Sequence, residues 1–138
     1  MKVVFDTNVF IAAALKGSFA EDVLKMSSTN LVILVCSEEI LEELHQKLDK
    51  KFQWSREDIT LFTKTIREIV QIVKVREKVN IVRRDPKDNM ILESALAGKA
   101  DLIVSIDQDL IKLKNFKGMG IIHPKSLPWI FPEYFKKS

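Results

Sequence analysis

Six consecutive apolar residues, Leu31-Val32-Ile33-Leu34-Val35-Cys36, constrain the fold of this chain more than any other stretch. A run this short and this rich in β-branched residues reads as a strand, and one without polar alternation must be covered on both faces. That requirement selects a parallel sheet with helices on each side, because a sheet with one solvated face alternates apolar and polar residues. Val3-Val4-Phe5 and the run within Ala100-Asp101-Leu102-Ile103-Val104-Ser105-Ile106 have the same character, and Gly118 to Ile122 reads as a last strand. The expected class is α/β: a three-layer α/β/α arrangement around a central, mostly parallel sheet, in a single domain over residues 1–138.

The segments between the strands carry helical signals. Thr7 reads as the cap of a short helix running to Leu15, with Gly17 ending it, and Ser18 opens an amphipathic segment with Phe19, Val23, Leu24 and Met26. Ser37 caps a third helix whose first turn holds Glu38 and Glu39, favourable for the helix dipole. Ile40, Leu41, Leu44 and Leu48 share an arc of about 100°, with Glu43 on its rim and Glu42 nearly opposite. Lys47 to Arg56 reads as a polar, basic connection; its mixture of Lys47, Lys50, Lys51 and Arg56 with Trp54 suits single-stranded nucleic acid or an ordinary solvated loop. Ser55 caps a fourth helix carrying Ile59, Phe62, Ile66, Ile69 and Val70, and two short β-like runs follow between Ile72 and Val82. Asp85-Pro86 reads as N-cap and first helical position. In that helix Asp88 falls on the inward stripe with Ile91, Leu92 and Ala95, and Gly98 ends it.

Length and composition bound the function without choosing it. The chain is long enough to bury a core without disulfides, and its single Cys36 sits in an apolar run as a small buried residue. The longest apolar run, Val9 to Leu15, is too short to span a bilayer, and no secretory leader is evident, so no membrane partner and a cytoplasmic location are expected. A net charge of +3 is compatible with a polyanionic partner and equally with many enzymes of small molecules.

Carboxylates recur where such a fold places its chemistry. Asp6 follows the first strand directly, the strand from Ala100 to Ile106 ends on Asp107 with Asp109 beside it, Asp88 lies on an inward helix start and Glu43 on a helix rim. In open α/β sheets ligands bind beyond the carboxyl ends of the strands, so parallel neighbours would bring these acids to one rim. Clustered carboxylates repel one another unless a cation neutralises them, and an oxygen-only set favours Mg²⁺ or Mn²⁺ over zinc. Each acid also has a plain structural role available: Asp107 as an N-cap, Asp109 as a first-turn acid, Glu43 as a solvated helix residue. His45 and His123 suit surface or packing roles, whereas Arg83, Arg84 and Lys87 flank the Asp88 helix as candidates for phosphate contacts.

At Val-Val-Phe-Asp6-Thr7-Asn8-Val-Phe, Ser37-Glu-Glu-Ile-Leu-Glu-Glu43-Leu, Arg84-Asp-Pro-Lys-Asp88-Asn, Ala100-Asp-Leu-Ile-Val-Ser105-Ile-Asp107-Gln-Asp109-Leu and Gly-Ile-Ile-His-Pro-Lys-Ser-Leu, the chain resembles PIN-domain proteins. The subgroup it is most similar to comprises toxin components of toxin–antitoxin systems. The resemblance implies a metal-dependent endoribonuclease with Asp6, Glu43, Asp88 and Asp107 as catalytic acids and Asp6, Asp88 and Asp107 as metal ligands. It makes Asp109 an accessory acid and Asn8 and Ser105 polar supports, and it implies an RNA substrate, a possible antitoxin protein and a homodimer. Two other readings stand beside it. One is a non-catalytic RNA- or protein-binding module; the other starts from Asp6-Thr7-Asn8-Val9, which is similar to the motif of haloacid-dehalogenase-type phosphatases but has Asn8 where those need a general acid.

Overall fold

The computed structural model describes residues 1–82 and 86–135. Its sheet has six strands in the order β3-β2-β1-β4-β6-β5. These are β1 (Lys2–Phe5), β2 (Ile33–Ser37), β3 (Val70–Val73), β4 (Leu102–Val104), β5 (Asn115–Phe116) and β6 (Met119–Ile122). Every pairing is parallel except that of β5 with β6. The helices are α1 (Thr7–Leu15), α2 (Gly17–Ser27), α3 (Glu38–Lys50), α4 (Arg56–Ile69), α5 (Pro86–Gly98), α6 (Gln108–Ile111) and α7 (Leu127–Ile130), with a 3₁₀ turn at Pro124–Ser126. The arrangement is the three-layer α/β/α class, and the run that demanded it behaves accordingly: Leu34, Val35 and Cys36 are buried. The strand starts two residues later than the run, leaving Leu31 exposed.

From β1 the chain proceeds outward to β2 and β3 on one side, then returns to place β4 and β6 on the other. The switch point therefore lies between β1 and β4, where open α/β folds form their binding crevice. The register pairs Phe5 with Val104, and Asp6 N–H donates to the Val104 carbonyl at 2.9 Å, so the ladder runs to the very rim.

Helix α3 buries Ile40, Leu41, Leu44 and Leu48, each worth about 1.5–3 kcal/mol of apolar burial, as its periodicity predicts. Ser37 caps it by accepting from Ile40 N–H at 3.3 Å and also shares a 2.7 Å hydrogen bond with the Ser94 hydroxyl on α5. Ser55 caps α4 through Asp58 N–H at 3.1 Å.

Several local expectations are corrected. Thr7 is the first residue of α1 and Asp6 is its N-cap position, without a side-chain cap, because both side chains are committed to tertiary partners described below. Gly17 starts α2 instead of ending α1. Lys47 to Lys50 belong to α3, so the connection to α4 is shorter and less basic than predicted. Gly98 closes α5 for a packing reason: a Cβ there would collide with Val35 Cγ1, and the left-handed conformation beyond the helix falls to Lys99, at φ 53°. The two β-like runs after residue 72 resolve into the end of β3 and an irregular segment. The last strand is a hairpin, with Lys117 and Gly118 both at positive φ in its turn, as a type I′ turn requires.

The C-terminal aromatics are largely core. Phe135 packs on Phe19, which stacks on Phe5, with ring centroids 5.8 and 6.5 Å apart, and Phe131 is buried as well. Trp129, 72% exposed, is the aromatic of that segment that faces solvent. Among the described residues no helix is long and apolar enough to cross a membrane.

Candidate active site

Asp6 and Ser105, each one residue beyond its strand, sit side by side at the switch point. Ser105 Oγ donates to Asp6 Oδ2 at 2.8 Å, and the same oxygen accepts Asp107 N–H at 3.0 Å. Ser105 is thus a hub that fixes a buried carboxylate and the start of α6 together. Burial pushes the Asp6 carboxyl above its ordinary range; the Ser105 hydrogen bond opposes this, the Glu43 charge adds to it, and the Thr7 backbone and Lys47 oppose it more weakly.

Asp107 is the N-cap of α6, its Oδ1 accepting Asp109 N–H at 2.8 Å and Leu110 N–H at 3.4 Å. The plain structural role weighed for Asp107 is real. Asp107, Asp109 and the buried Asp88 each offer a carboxylate oxygen, and the three lie within 4.8 Å of one another. Three hard oxygen donors at this spacing can hold a metal ion, and they suit Mg²⁺ or Mn²⁺ better than a metal that prefers nitrogen or sulfur. Asp109 takes part in this group and Asp6 does not.

Asp88 reaches the rim because α5 begins at Pro86 and turns its Asp88, Ile91, Leu92 and Ala95 face to the sheet, all four buried. The segment before α5 is clasped by side chains of the helix itself. Asn89 Oδ1 accepts Ile81 and Val82 N–H at 3.0 and 2.8 Å, its Nδ2 donates to the Val82 carbonyl at 2.7 Å, and Glu93 Oε2 accepts Val79 N–H at 2.8 Å. Asn89 and Glu93 are spaced i, i+4 on one helix face, which a sequence reading could have noticed as two buried polar residues on an inward stripe; it did not. Lys87 is exposed at the start of α5. Arg83, Arg84 and the proposed cap Asp85 lie outside the described residues.

Glu43 projects from the rim of α3 toward α1, with Glu42 exposed on the far side. Thr7 Oγ1 donates to Glu43 Oε2 at 2.9 Å, while Lys47 Nζ lies 3.3 Å from Oε1 and donates to Asn8 Oδ1 at 3.1 Å. Lys47, read from the sequence as part of a basic connection that suits single-stranded nucleic acid or an ordinary solvated loop, lies in α3 and is spent on two residues of the site. Neither histidine is in the acid group: His45 is exposed, and His123 Nδ1 accepts Lys125 N–H at 3.0 Å to start the 3₁₀ turn.

A helix-flanked parallel sheet with carboxylates gathered at its switch point is an α/β protein whose rim offers oxygen ligands to a cation. The chain belongs to the PIN-domain family, whose model matches residues 2–109. Its fold is similar to a chain in the crystal structure of VapBC2 from Rickettsia felis bound to a DNA fragment from their promoter, with 17% sequence identity and a TM-score of 0.62. The likeness covers 89% of this chain and 98% of that one. No curated protein matches the sequence significantly. Family membership sets aside the phosphatase reading of Asp6-Thr7-Asn8-Val9.

Proposed function

We propose that the chain is a metal-dependent endoribonuclease, hydrolysing phosphodiesters of single-stranded RNA at the rim between β1 and β4. The observation that carries this reading is the group formed by Asp88, Asp107 and Asp109, three carboxylates drawn together from two separate elements of a PIN fold. These residues would hold one Mg²⁺ or Mn²⁺, with Asp6 joined to them through the Ser105 hydroxyl. A divalent ion there supplies Lewis acidity toward a phosphoryl oxygen and acidifies water. Asp6, made more basic by burial, orients and accepts a proton from the attacking water, and Ser105 holds its other oxygen in place. Glu43, held by Thr7 and Lys47, adds negative charge beside Asp6 and Asn8. Lys87, with Arg83 and Arg84, contacts the RNA phosphates.

The resemblance to toxin components and the fold likeness to a VapBC2 chain support an antitoxin protein as the partner; the reading further takes the chain to be a homodimer acting in the cytoplasm. The test is cleavage of single-stranded RNA with Mn²⁺ and with EDTA, for the wild type and Asp88→Asn. Cleavage with Mn²⁺, none with EDTA, and a loss in the variant of roughly 100-fold or more support the reading, since even outer partners of a metal site are worth about 10–100-fold. RNA binding without cleavage, unchanged by EDTA, would instead show a binding module.

A further inference from the structure

Positive charge is unevenly spread along this chain. From Leu110 to Pro132 there are four lysines and no Asp or Glu, more positive charge than the whole chain's net +3, so the remainder is slightly acidic. Three of the four, Lys112, Lys114 and Lys117, fall on the stretch that carries the chain from α6 through β5 into the hairpin turn. All three are exposed. Among the described residues no acid forms an ion pair with any of them, and Lys117 Nζ lies 5.7 Å from the centroid of the Phe116 ring.

Tertiary structure makes this stretch a line that begins at the acidic rim. Four residues of α6 separate its N-cap Asp107 from its C-cap Lys112, so along the helix axis the lysine is about 7–8 Å from the acid. The Lys114 carbonyl then accepts Ile121 N–H at 3.0 Å, and Asn115 and Phe116 pair with Gly120 and Met119. The far end of β6 is level with the site, since the Ile122 carbonyl accepts Ser105 N–H at 2.9 Å, whereas Met119 is three residues lower, about 10 Å down the strand. Lys112, Lys114 and Lys117 therefore step down the outermost strand on that side of the sheet, away from Asp107. Two of them also hold unfavourable backbone positions: Lys114 and Lys117 have φ of 60° and 49°, the left-handed region where glycine or asparagine is the relaxed choice. Strain of that kind concentrates where a chain meets a ligand.

We propose that Lys112, Lys114 and Lys117 form a phosphate track for single-stranded RNA, carrying the strand along the β5 edge to the acidic rim. The proposal deepens the nuclease reading of that rim and rests on it for the identity of the polyanion. Carboxylates repel the phosphates of the strand they act on, so the RNA backbone needs cations beyond the acid group, and three exposed ammonium groups supply them as point charges without base preference. Lysines on an edge strand also guard against pairing between copies, but that role needs no RNA, and Lys112 precedes the strand and has no part in it.

The test is binding of a labelled oligouridylate of about 20 nucleotides, longer than a single-strand site, to the full-length chain in EDTA, followed by fluorescence anisotropy over a range of salt. Replacing all three lysines by Gln is expected to weaken binding on the order of 100-fold at about 0.1 M salt and to lower the slope of log K against log salt by about 2, because each phosphate contact of a single strand contributes about 0.7. Lys112→Gln alone, at an ordinary φ of −61°, keeps the test open should the triple variant fail to fold, and should lower the slope by about 0.7. The triple Arg variant should bind as the wild type does. Replacing Lys16, Lys25 and Lys64, exposed elsewhere on the chain, by Gln makes the same change in net charge and should leave binding nearly as it was. Equal losses in the two triple Gln variants would overturn the proposal, as would unchanged affinity with new self-association in the β5-edge variant, or no binding by the wild type at low salt. Lysine-dependent binding without cleavage in Mn²⁺ overturns the nuclease reading and leaves the track standing, whereas Mn²⁺-dependent cleavage with an RNA affinity indifferent to these lysines overturns the track alone.

Discussion

Ser105 Oγ and Asp6 Oδ2 are 2.8 Å apart although 99 residues separate them in the chain. The serine spends its proton on the carboxylate and its lone pair on Asp107 N–H, so one hydroxyl ties the end of β1 to the start of α6.

Ser105→Ala removes both bonds at a fully buried position. A buried donor or acceptor left unmet costs about 1–3 kcal/mol, so the variant is expected to unfold at lower urea with an unchanged m-value. Its Mn²⁺ affinity falls too, because the Asp107 turn loses its anchor. A variant as stable as the wild type would mean that water replaces the hydroxyl at no cost.

Asp6→Asn is expected to raise the stability of the metal-free protein while abolishing cleavage. The folded-state pKa of Asp6 lies above its ordinary value of 3.8, chiefly through burial. The sign follows: the stabilising contribution belongs to the protonated form, is complete below the unfolded pKa, and is lost as pH rises through the folded one. At neutral pH the ionised carboxylate is therefore a burden that asparagine relieves while still accepting from Ser105. Thermal melts in EDTA should show a higher Tm for the variant at pH 7 and a smaller difference near pH 3; a lower Tm at pH 7 contradicts the electrostatic account.

Gly98→Ala forces a methyl group against Val35 Cγ1, and overpacking of this kind costs about 1–3 kcal/mol even though alanine is the better helix former. Val35→Ala makes the space. A double-mutant cycle by chemical denaturation should show Gly98→Ala destabilising in the wild type and nearly neutral in the Val35→Ala background; additive effects would place the strain elsewhere.

Burial pushes the Cys36 thiol up to about 12 from 9.0. The thiolate is the nucleophile, so native protein at pH 8 should resist iodoacetamide and become modified only in denaturant. The raised value also means that its stabilising contribution is present below pH 9 and declines between pH 9 and about pH 12. Stability of Cys36→Ala should therefore fall less steeply than that of the wild type as pH rises above 9, which denaturant titrations at pH 8 and pH 10 measure.

Helical phase alone distinguishes Glu43 from Glu42 and turns Asp88 inward, because a 3.6-residue period relates each acid to apolar neighbours only a few positions away. The caps at Ser37 and Ser55 are legible for the same reason: a cap involves three or four consecutive residues. Gly98 looks like an ordinary helix stop from its neighbours and owes its place to Val35, 63 residues earlier, a contact that no local pattern encodes. Thr7 and Lys47 mislead similarly, as a cap and a loop cation, since their partners Glu43 and Asn8 are supplied by the packing of α1 against α3.

By itself, then, the sequence determined that the sheet is mostly parallel and helix-covered, that the first strand runs into an acid and that another acid lies three residues past the fourth. Those are properties of apolar runs and of the residues that end them. Which acids lie close enough to share a cation, which one is held by Ser105 and which is answered by Lys47 were decided by tertiary structure. Carboxylate, hydroxyl and ammonium groups interact over about 3 Å, and the strand order that puts β4 beside β1 and the packing of α1 on α3 bring distant residues within that range.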